Sequence, residues 1–299
     1  MRILVTGAAG QLGGDIVALA SSSGHDLTGV TRDQCDVRDA GAVAALMRRL
    51  RPDAVINCAA WTQVDLAETH REEAFAVNAD GAANVARACA DGGTLLVHVS
   101  TDYVFGDSRD LPIDEGAQVF PLSVYGASKA AGEDAVRKAL PYRHVIVRTA
   151  WVFGRKGPNF VLTMLRLAGE QRPLRVVADQ TGTPTWTGHL APAVLRLLDL
   201  DVQGVVHLTA SGSTTWRDFA QAIVDEAGFE GVEVEPITTA DYPTPARRPA
   251  YSVLDNRRWR ELGQPPLPDW REGLRGYLAR LQAAGSRGEA PAAGVGGFS

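Results

Sequence analysis

Tyr125 and Lys129 stand four residues apart in the run Tyr125-Gly126-Ala127-Ser128-Lys129. On a helix that spacing puts both side chains on one face. A free phenol titrates near ~10, too high for easy proton transfer at neutral pH. An ammonium beside it stabilises the phenolate and lowers that value. The pair is therefore a candidate general acid for a carbonyl undergoing reduction. Y-x-x-x-K also occurs on ordinary helix faces, so its company decides. Thr101, in His98-Val99-Ser100-Thr101-Asp102-Tyr103-Val104-Phe105-Gly106, offers a hydroxyl that can bond and orient the same oxygen. Lys129 is also placed to reach a nicotinamide ribose. Asp102 either orients substrate or caps the turn. Trp151, in Arg148-Thr149-Ala150-Trp151-Val152-Phe153-Gly154, is a core plug or a platform for the apolar face of a sugar ring, and the platform is favoured. His98 precedes the strand end without an adjacent acid and reads as a buried strand residue.

These residues need a cofactor site beside them. The first apolar run leads into Thr6-Gly7-Ala8-Ala9-Gly10-Gln11-Leu12-Gly13, with the spacing G-x-x-G-x-x-G. Gly7 permits a tight turn, Gly10 lets backbone amides approach a pyrophosphate, and Gly13 lets a helix pack on the strand. The free N–H groups and the helix dipole then hold the phosphates. Beyond the second strand lies Thr31-Arg32-Asp33. An acid there grips the ribose of NAD and an Arg pairs with the 2′-phosphate of NADP. The signal is divided between Arg32 and Asp33, and the reading leans to NADPH with NADH possible. Asn57-Cys58-Ala59-Ala60 ends the third strand; its small side chains leave room for a flat ring or ribose, or simply allow close packing.

The elements that must carry these groups alternate. Apolar runs at Arg2–Thr6, Leu27–Val30, Ala54–Cys58, Leu95–Ser100 and Val145–Thr149 read as buried parallel strands. Helical patterns lie between them at Gln11–Ala20, Ala40–Leu50, Ala74–Ala90 and Ser123–Ala139. This predicts an α/β fold, a doubly wound parallel Rossmann-like sheet, with its ligand crevice at the carboxyl ends of the strands. After Gly154 a smaller C-terminal α/β substrate lobe is expected. Its elements are Asn159–Gly169, Leu174–Val177, Thr215–Ala227, Val232–Pro236 and Trp270–Leu281. Thr187–Leu200 and Val205–Leu208 are expected to return to the main sheet. Residues 1–153 with roughly 183–211 then form the dinucleotide-binding domain, 154–182 with roughly 212–283 the substrate lobe, and 284–299 a flexible tail.

Composition narrows the function classes. The chain has 299 residues, 45% hydrophobic and 22% charged, with a net charge of −5. No basic block suggests nucleic acid or an anionic membrane as a partner. No apolar run is long enough to span a bilayer. Cys35, Cys58 and Cys89 form no C-x-x-C pair, and the histidines have no H-x-x-x-H spacing, so neither a disulfide framework nor a metal is expected. A strand beginning at Arg2 leaves no room for a signal peptide, and the expected location is cytoplasmic.

The glycine loop, N-C-A-A, S-T-D-Y-V-F-G and Y-G-A-S-K resemble the extended short-chain dehydrogenase/reductase superfamily. R-T-A-W-V-F-G, the run Asp179-Gln180-Thr181-Gly182-Thr183-Pro184-Thr185 and Tyr242-Pro243-Thr244-Pro245-Ala246-Arg247-Arg248-Pro249 narrow the resemblance to the dTDP-4-dehydrorhamnose reductase family. It extends from about Met1 to Leu281. The resemblance implies NAD(P)H-dependent reduction of a 4-keto-6-deoxy sugar on a nucleoside diphosphate, most simply dTDP-4-dehydro-L-rhamnose to dTDP-L-rhamnose. It implies Thr101, Tyr125 and Lys129 as catalytic residues. Gly10, Gln11, Leu12, Asp36, Val37, Ala59, Ala60, Trp61 and Thr62 then contact the cofactor. Thr101, Asp102 and Trp151 contact the deoxysugar, and Arg247 and Arg248 help hold the nucleotide, since guanidinium groups suit diphosphate. Two positions depart from the family pattern. Thr31 stands where some members have an acid. Where some members dimerise around Mg²⁺, only Asp15 matches, with Gly188 and roughly Arg271 at the later places, so no metal is expected. The alternatives are a dTDP-sugar 4-ketoreductase of the dihydrostreptose type, an epimerase, or a non-catalytic regulatory subunit of the same fold. A monomer or homodimer is expected.

Overall fold

The computed structural model describes residues 1–107 and 111–285. Of the tail expected at 284–299, the first two residues end the last helix, and the rest lies outside the described residues. In chain order the first half comprises β1 (Arg2–Thr6), α1 (Gln11–Ala18), β2 (Asp26–Val30), α2 (Ala40–Leu50), β3 (Ala54–Asn57), α3 (Val64–Thr69), α4 (Arg71–Phe75), α5 (Gly81–Gly92), β4 (Leu95–Thr101), α6 (Val124–Ala139) and β5 (His144–Thr149). A π-helical turn, Ala76–Asp80, joins α4 to α5. The second half comprises β6 (Val152–Phe153), α7 (Phe160–Gly169), β7 (Leu174–Val177), β8 (Thr181–Gly182), β9 (Thr185–Trp186), α8 (Thr187–Arg196), β10 (Gly204–His207), β11 (Thr214–Thr215), α9 (Trp216–Glu226), β12 (Val234–Ile237), α10 (Arg257–Glu261) and α11 (Trp270–Gly285).

The main sheet has six strands in the order β10-β5-β4-β3-β1-β2, and every pairing is parallel. It is the expected doubly wound sheet. Side chains alternate across it, as the two-residue period of a strand requires. Ile3, Val5, Ile56, Val97 and Val147 face Leu12 and Ile16 of α1 and Leu190 and Val194 of α8. Leu4, Val55, Leu96 and Ile146 face Val43 and Met47 of α2, Val85 and Cys89 of α5, and Val136 of α6. Burying one such Val, Leu or Ile contributes ~1.5–3 kcal/mol, so two full apolar layers hold the sheet rigid. The strand order reverses direction between β1 and β3. Strand ends diverge at that point and open the crevice where ligands of such sheets bind.

The remaining elements build a second apolar core. β12 pairs in parallel with β7, in the register Val234↔Leu174. Over this two-stranded sheet pack Val161 and Met164 of α7, Phe219 and Ile223 of α9, and Trp270, Leu274 and Tyr277 of α11. The strand expected at Val232–Pro236 is displaced to Val234–Ile237, and α11 runs past Leu281 to Gly285. β10 pairs with β5 and extends the main sheet. Among the described residues no helix is long and apolar enough to cross a membrane.

Candidate functional site

The glycine loop leaves β1 with Gly7 at φ +67°, a conformation that L side chains resist. A Cβ there would lie 2.7 Å from the backbone of Cys58 and Ala59, so the loop and the end of β3 touch backbone to backbone. Gly13 packs as closely, since its Cβ would lie 2.5 Å from the Gly7 carbonyl oxygen. Gly10 caps α1 in extended backbone without any side chain on the first-turn N–H groups. Those donors are left to a ligand, and their dipole favours an anion. Leu12 is buried beneath and Gln11 half-buried. The cradle therefore fits the pyrophosphate of a dinucleotide. Ala59 and Ala60 are half-buried at the mouth of the crevice, and Thr62 is exposed.

Past β2, Arg32 is largely exposed and lies 3.5 Å from Asp36. Asp36 is gripped more firmly by Arg38, at 2.6 Å through Nη2 and 3.0 Å through Nε. Those hydrogen bonds hold the Asp36 carboxyl down at about 2. Val37 is buried against Gly81, whose Cβ would collide with it at 2.7 Å. Arg38 was not among the residues singled out from sequence. Its signal, a second guanidinium two positions past Asp36, is visible only once the turn is folded.

The acid–base group assembles from two elements. Ser123 caps α6 by accepting from Gly126 N at 3.1 Å, and Glu68 accepts from Val124 N at 2.8 Å. The first turn of α6 thereby places Tyr125 against β4. The Thr101 hydroxyl acts on the Tyr125 phenol and pulls its pKa downward against burial, so the fold brings two of the groups expected around one ketone oxygen to the same end of β4. Thr101 in turn donates to Asp102 Oδ1 at 2.9 Å and accepts from Tyr103 N at 3.2 Å. Asp102 is buried, and burial raises its carboxyl to about 6 against the pull of the Ser252 and Thr101 hydroxyls. The turn after β4 is capped by the Thr101 hydroxyl and not by Asp102.

Lys129 departs from the sequence expectation. Its Nζ donates to the Val99 carbonyl at 2.7 Å. Burial lowers the amine to about 8, while the charge of Glu133 acts upward. The expected lowering of the Tyr125 pKa is absent. Burial pushes the phenol up to about 12, opposed by the Thr101 hydroxyl, while the Asp102 charge adds to the rise. With its amine turned to β4, Lys129 acts instead on Cys58 and His98. His98 is buried, with Nδ1 3.1 Å from the Asn57 amide, as a strand residue should be.

Asn78 also escaped sequence reading. It lies in the π-helical turn, accepts from Trp61 N at 2.8 Å and donates to Ser128 Oγ at 2.9 Å. It thus ties the loop after β3 to the helix that carries Tyr125. Such turns recur at functional sites. Its signal in the chain, one Asn within an Ala-rich helical pattern, is too weak to find.

Trp151 is neither a simple plug nor a free platform. It adopts φ +45°, strained for a residue with a side chain. Its indole stacks on Trp216 at 3.5 Å between centroids and 5° between planes. Gly182 leaves space for it, since a Cβ there would lie 2.3 Å from Trp151 Cε2. Arg247 pairs with Asp107 at 2.6 Å. Arg248 pairs with Asp65 at 2.6 Å and bonds the Ala246 carbonyl at 3.1 Å. Both guanidiniums expected to hold a nucleotide therefore have carboxylate partners. The Arg248 pair links the Pro-rich segment to the start of α3.

The chain matches the family model described as RmlD substrate binding domain over residues 1–283. It is 43% identical over 293 residues to dTDP-4-dehydrorhamnose reductase of Mycolicibacterium smegmatis, covering 97% of this chain and 89% of that one. It is 41% identical to dTDP-4-keto-6-deoxy-D-glucose reductase of Streptomyces niveus, covering 94% and 98%. The crystal structure of dTDP-4-dehydrorhamnose reductase from Bacillus anthracis in complex with NADP superposes with a TM-score of 0.91 at 37% identity, covering 93% of this chain and 99% of that one. With the glycine cradle, the Thr101–Tyr125 contact and the matching chain length in place, this protein belongs to the dTDP-4-dehydrorhamnose reductase family.

Proposed function

We propose that the chain reduces the C4 ketone of a dTDP-4-keto-6-deoxy-L-hexose, most simply dTDP-4-dehydro-L-rhamnose to dTDP-L-rhamnose, using NADPH in preference to NADH. The observation that carries this reading is the placing of Tyr125, through the Ser123 cap and the Glu68 bond at the start of α6, against the end of β4 that bears Thr101, beside the glycine cradle. Two hydroxyls from different elements converge there to meet one oxygen.

A bound nicotinamide supplies the hydride; the protein supplies alignment and a proton. With its pKa near 12, the Tyr125 phenol carries its proton at neutral pH and stands in the donor form. It passes that proton to the alkoxide forming at C4 and is left as phenolate. Lys129, whose ammonium rests on the Val99 carbonyl, turns toward that phenolate as its charge forms, and Thr101 orients the oxygen. Gly7, Gly10, Gly13, Gln11 and Leu12 hold the pyrophosphate, and Ala59, Ala60 and Thr62 border the nicotinamide half. Arg32 and Arg38 flank the position of a 2′-phosphate, and Thr31 offers no carboxylate to repel it. Asp102 and Trp151 border the deoxysugar. Arg247, exposed on its Asp107 pair, exchanges onto the diphosphate, while Arg248 holds the second lobe in place through Asp65.

The Streptomyces niveus relative, a dTDP-4-keto-6-deoxy-D-glucose reductase, supports a second reading, the reduction of a D-configured dTDP-4-keto-6-deoxy sugar. A regulatory, non-catalytic role is disfavoured because Thr101, Tyr125 and Lys129 are all present. We place the enzyme in the cytoplasm as a monomer or homodimer. The test is NADPH consumption with several dTDP-4-keto-6-deoxy sugars and NMR identification of the product. dTDP-L-rhamnose from the L-lyxo ketone is the expected result. A lack of oxidation with every sugar rejects the reading, and tenfold better kcat/KM with NADH rejects the cofactor choice.

A further inference from the structure

We propose that Glu133 is a positioning residue for this reduction: its buried carboxylate locks the Tyr125–Lys129 helix onto β4 and β5 and supplies the counter-charge to the Lys129 amine. The inference rests on the reductase reading and deepens it.

Glu133 lies one helical turn beyond Lys129 and is 0% exposed. Its carboxylate is held on every side. Oε1 accepts from Ser100 Oγ at 2.7 Å and from Arg148 Nε at 2.8 Å. Oε2 accepts from Arg148 Nη2 at 2.6 Å and from Arg137 Nη2 at 2.8 Å. Ser100 directly precedes Thr101 on β4, and Arg148 lies next in register to Ser100 on β5. One side chain on α6 thus grips the strand that carries the Thr101 hydroxyl. Rotation of α6 about its axis, which would separate Tyr125 from Thr101, would break these charge-assisted bonds.

The charge matters as much as the grip. An ion pair of this kind is costly to bury and often replaceable by apolar packing, so its presence here calls for a use beyond stability. The groups that act on Lys129 are Glu133 on its own helix and Cys58 at the end of β3. Lys129 in turn bears on His98 of β4. Burial raises the Cys58 thiol to about 12 and keeps His98 well below its ordinary range, so both are neutral at pH 7. Around Glu133 stand Arg148, Arg137, and His207 of β10, with His144 at the start of β5 facing His98. His207 is held neutral at pH 7. Glu133 is therefore the anion that acts on the Lys129 amine at neutral pH.

The sign follows. Losing the carboxylate makes the Lys129 ammonium give up its proton at lower pH. Losing the outer cation Arg137 strengthens the field of Glu133 and does the reverse. A purely structural role moves neither. The test is kcat and KM against pH for the full-length enzyme with NADPH and the dTDP-4-keto-6-deoxy sugar. Glu133→Gln is expected to bring the alkaline limb of kcat down by up to about one pH unit, as loss of an opposite charge one helical turn away does. It should also lower kcat far more than it changes KM. Glu133→Asp should keep the limb while lowering kcat. Arg137→Gln, at a half-exposed site, should raise the limb by a few tenths of a unit at low salt. A folded Glu133→Gln enzyme whose limb stays in place overturns the proposal. If that variant does not fold, an unmoved limb in Arg137→Gln overturns it. A wild-type chain without turnover rejects the reductase reading and this inference together; a normal wild-type profile with unmoved limbs rejects the inference alone.

Discussion

A Cβ built on Gly126 would lie 2.1 Å from the carbonyl oxygen of Tyr103. The helix bearing the acid therefore rests on the turn after β4 with no side chain between them. Helix propensity alone favours Gly126→Ala by ~1 kcal/mol. The collision is with backbone, which cannot swing aside, and over-packing of this kind costs ~1–3 kcal/mol. The collision should win, leaving Gly126→Ala less stable in urea and with kcat sharply reduced as Tyr125 is pushed from Thr101. A variant with unchanged midpoint and rate would show that this contact is slack.

The Tyr125–Thr101 contact predicts unequal effects of removing the two hydroxyls. Losing a positioned acid typically costs ~10²–10⁴ in rate, so Tyr125→Phe should fall in that range with KM little changed. Of the bonds that Thr101→Val removes, the one to the reacting oxygen is worth ~1 kcal/mol, which corresponds to roughly fivefold in kcat, while those to Asp102 and from Tyr103 N bear on stability. Steady-state kinetics at pH 7 separate the two. Near-normal kcat in Tyr125→Phe would remove the phenol from the role of acid.

Much of this arrangement was readable in the chain because its causes are local. Arg2–Thr6 and Ala40–Leu50 fall where apolar period and flanking residues place them. The glycines at 7, 10 and 13 act by geometry that spacing alone announces. What failed to show depends on partners distant in sequence. Trp151 meets Trp216 only through the second core, and Arg248 meets Asp65 only across the two halves of the chain. Spacing put Lys129 on the face of Tyr125, but the Val99 carbonyl that takes its amine belongs to another element. The π-helical turn at Ala76–Asp80 is hidden because its alanines continue a helical pattern, while the insertion is forced by tertiary packing. Gly132 accommodates that turn, since its Cβ would lie 2.1 Å from the Asn78 carbonyl oxygen.

Cofactor choice rests on the turn after β2. Arg32 is only loosely paired with Asp36, so it is available to a 2′-phosphate, whereas Arg38 is committed to Asp36. A guanidinium–phosphate bond contributes ~1.5–3 kcal/mol, so Arg32→Ala should raise KM for NADPH roughly tenfold or more. KM for NADH, which lacks that phosphate, should stay within about twofold. Equal increases for both cofactors would place Arg32 outside the phosphate site.

Acid stability depends on His207, which packs edge-on against Phe105 with centroids 5.9 Å apart. Burial first, and then the charge of Arg148, bring its pKa down to about 3. In the unfolded chain the imidazole takes a proton as pH falls through ~6.5, whereas the folded form stays neutral. Stability from this group is therefore full above ~6.5 and declines below it, because the unfolded chain binds the extra proton. Between pH 7.5 and 5.5 the loss should be about 1 kcal/mol for this residue. His207→Leu cannot titrate, so its stability should fall by that much less over the same interval, whatever its stability at pH 7.5. Urea unfolding of both proteins at the two pH values measures the difference. Identical declines would mean that His207 accepts its proton in the folded state and that the pocket between Phe105 and Arg148 tolerates the charge.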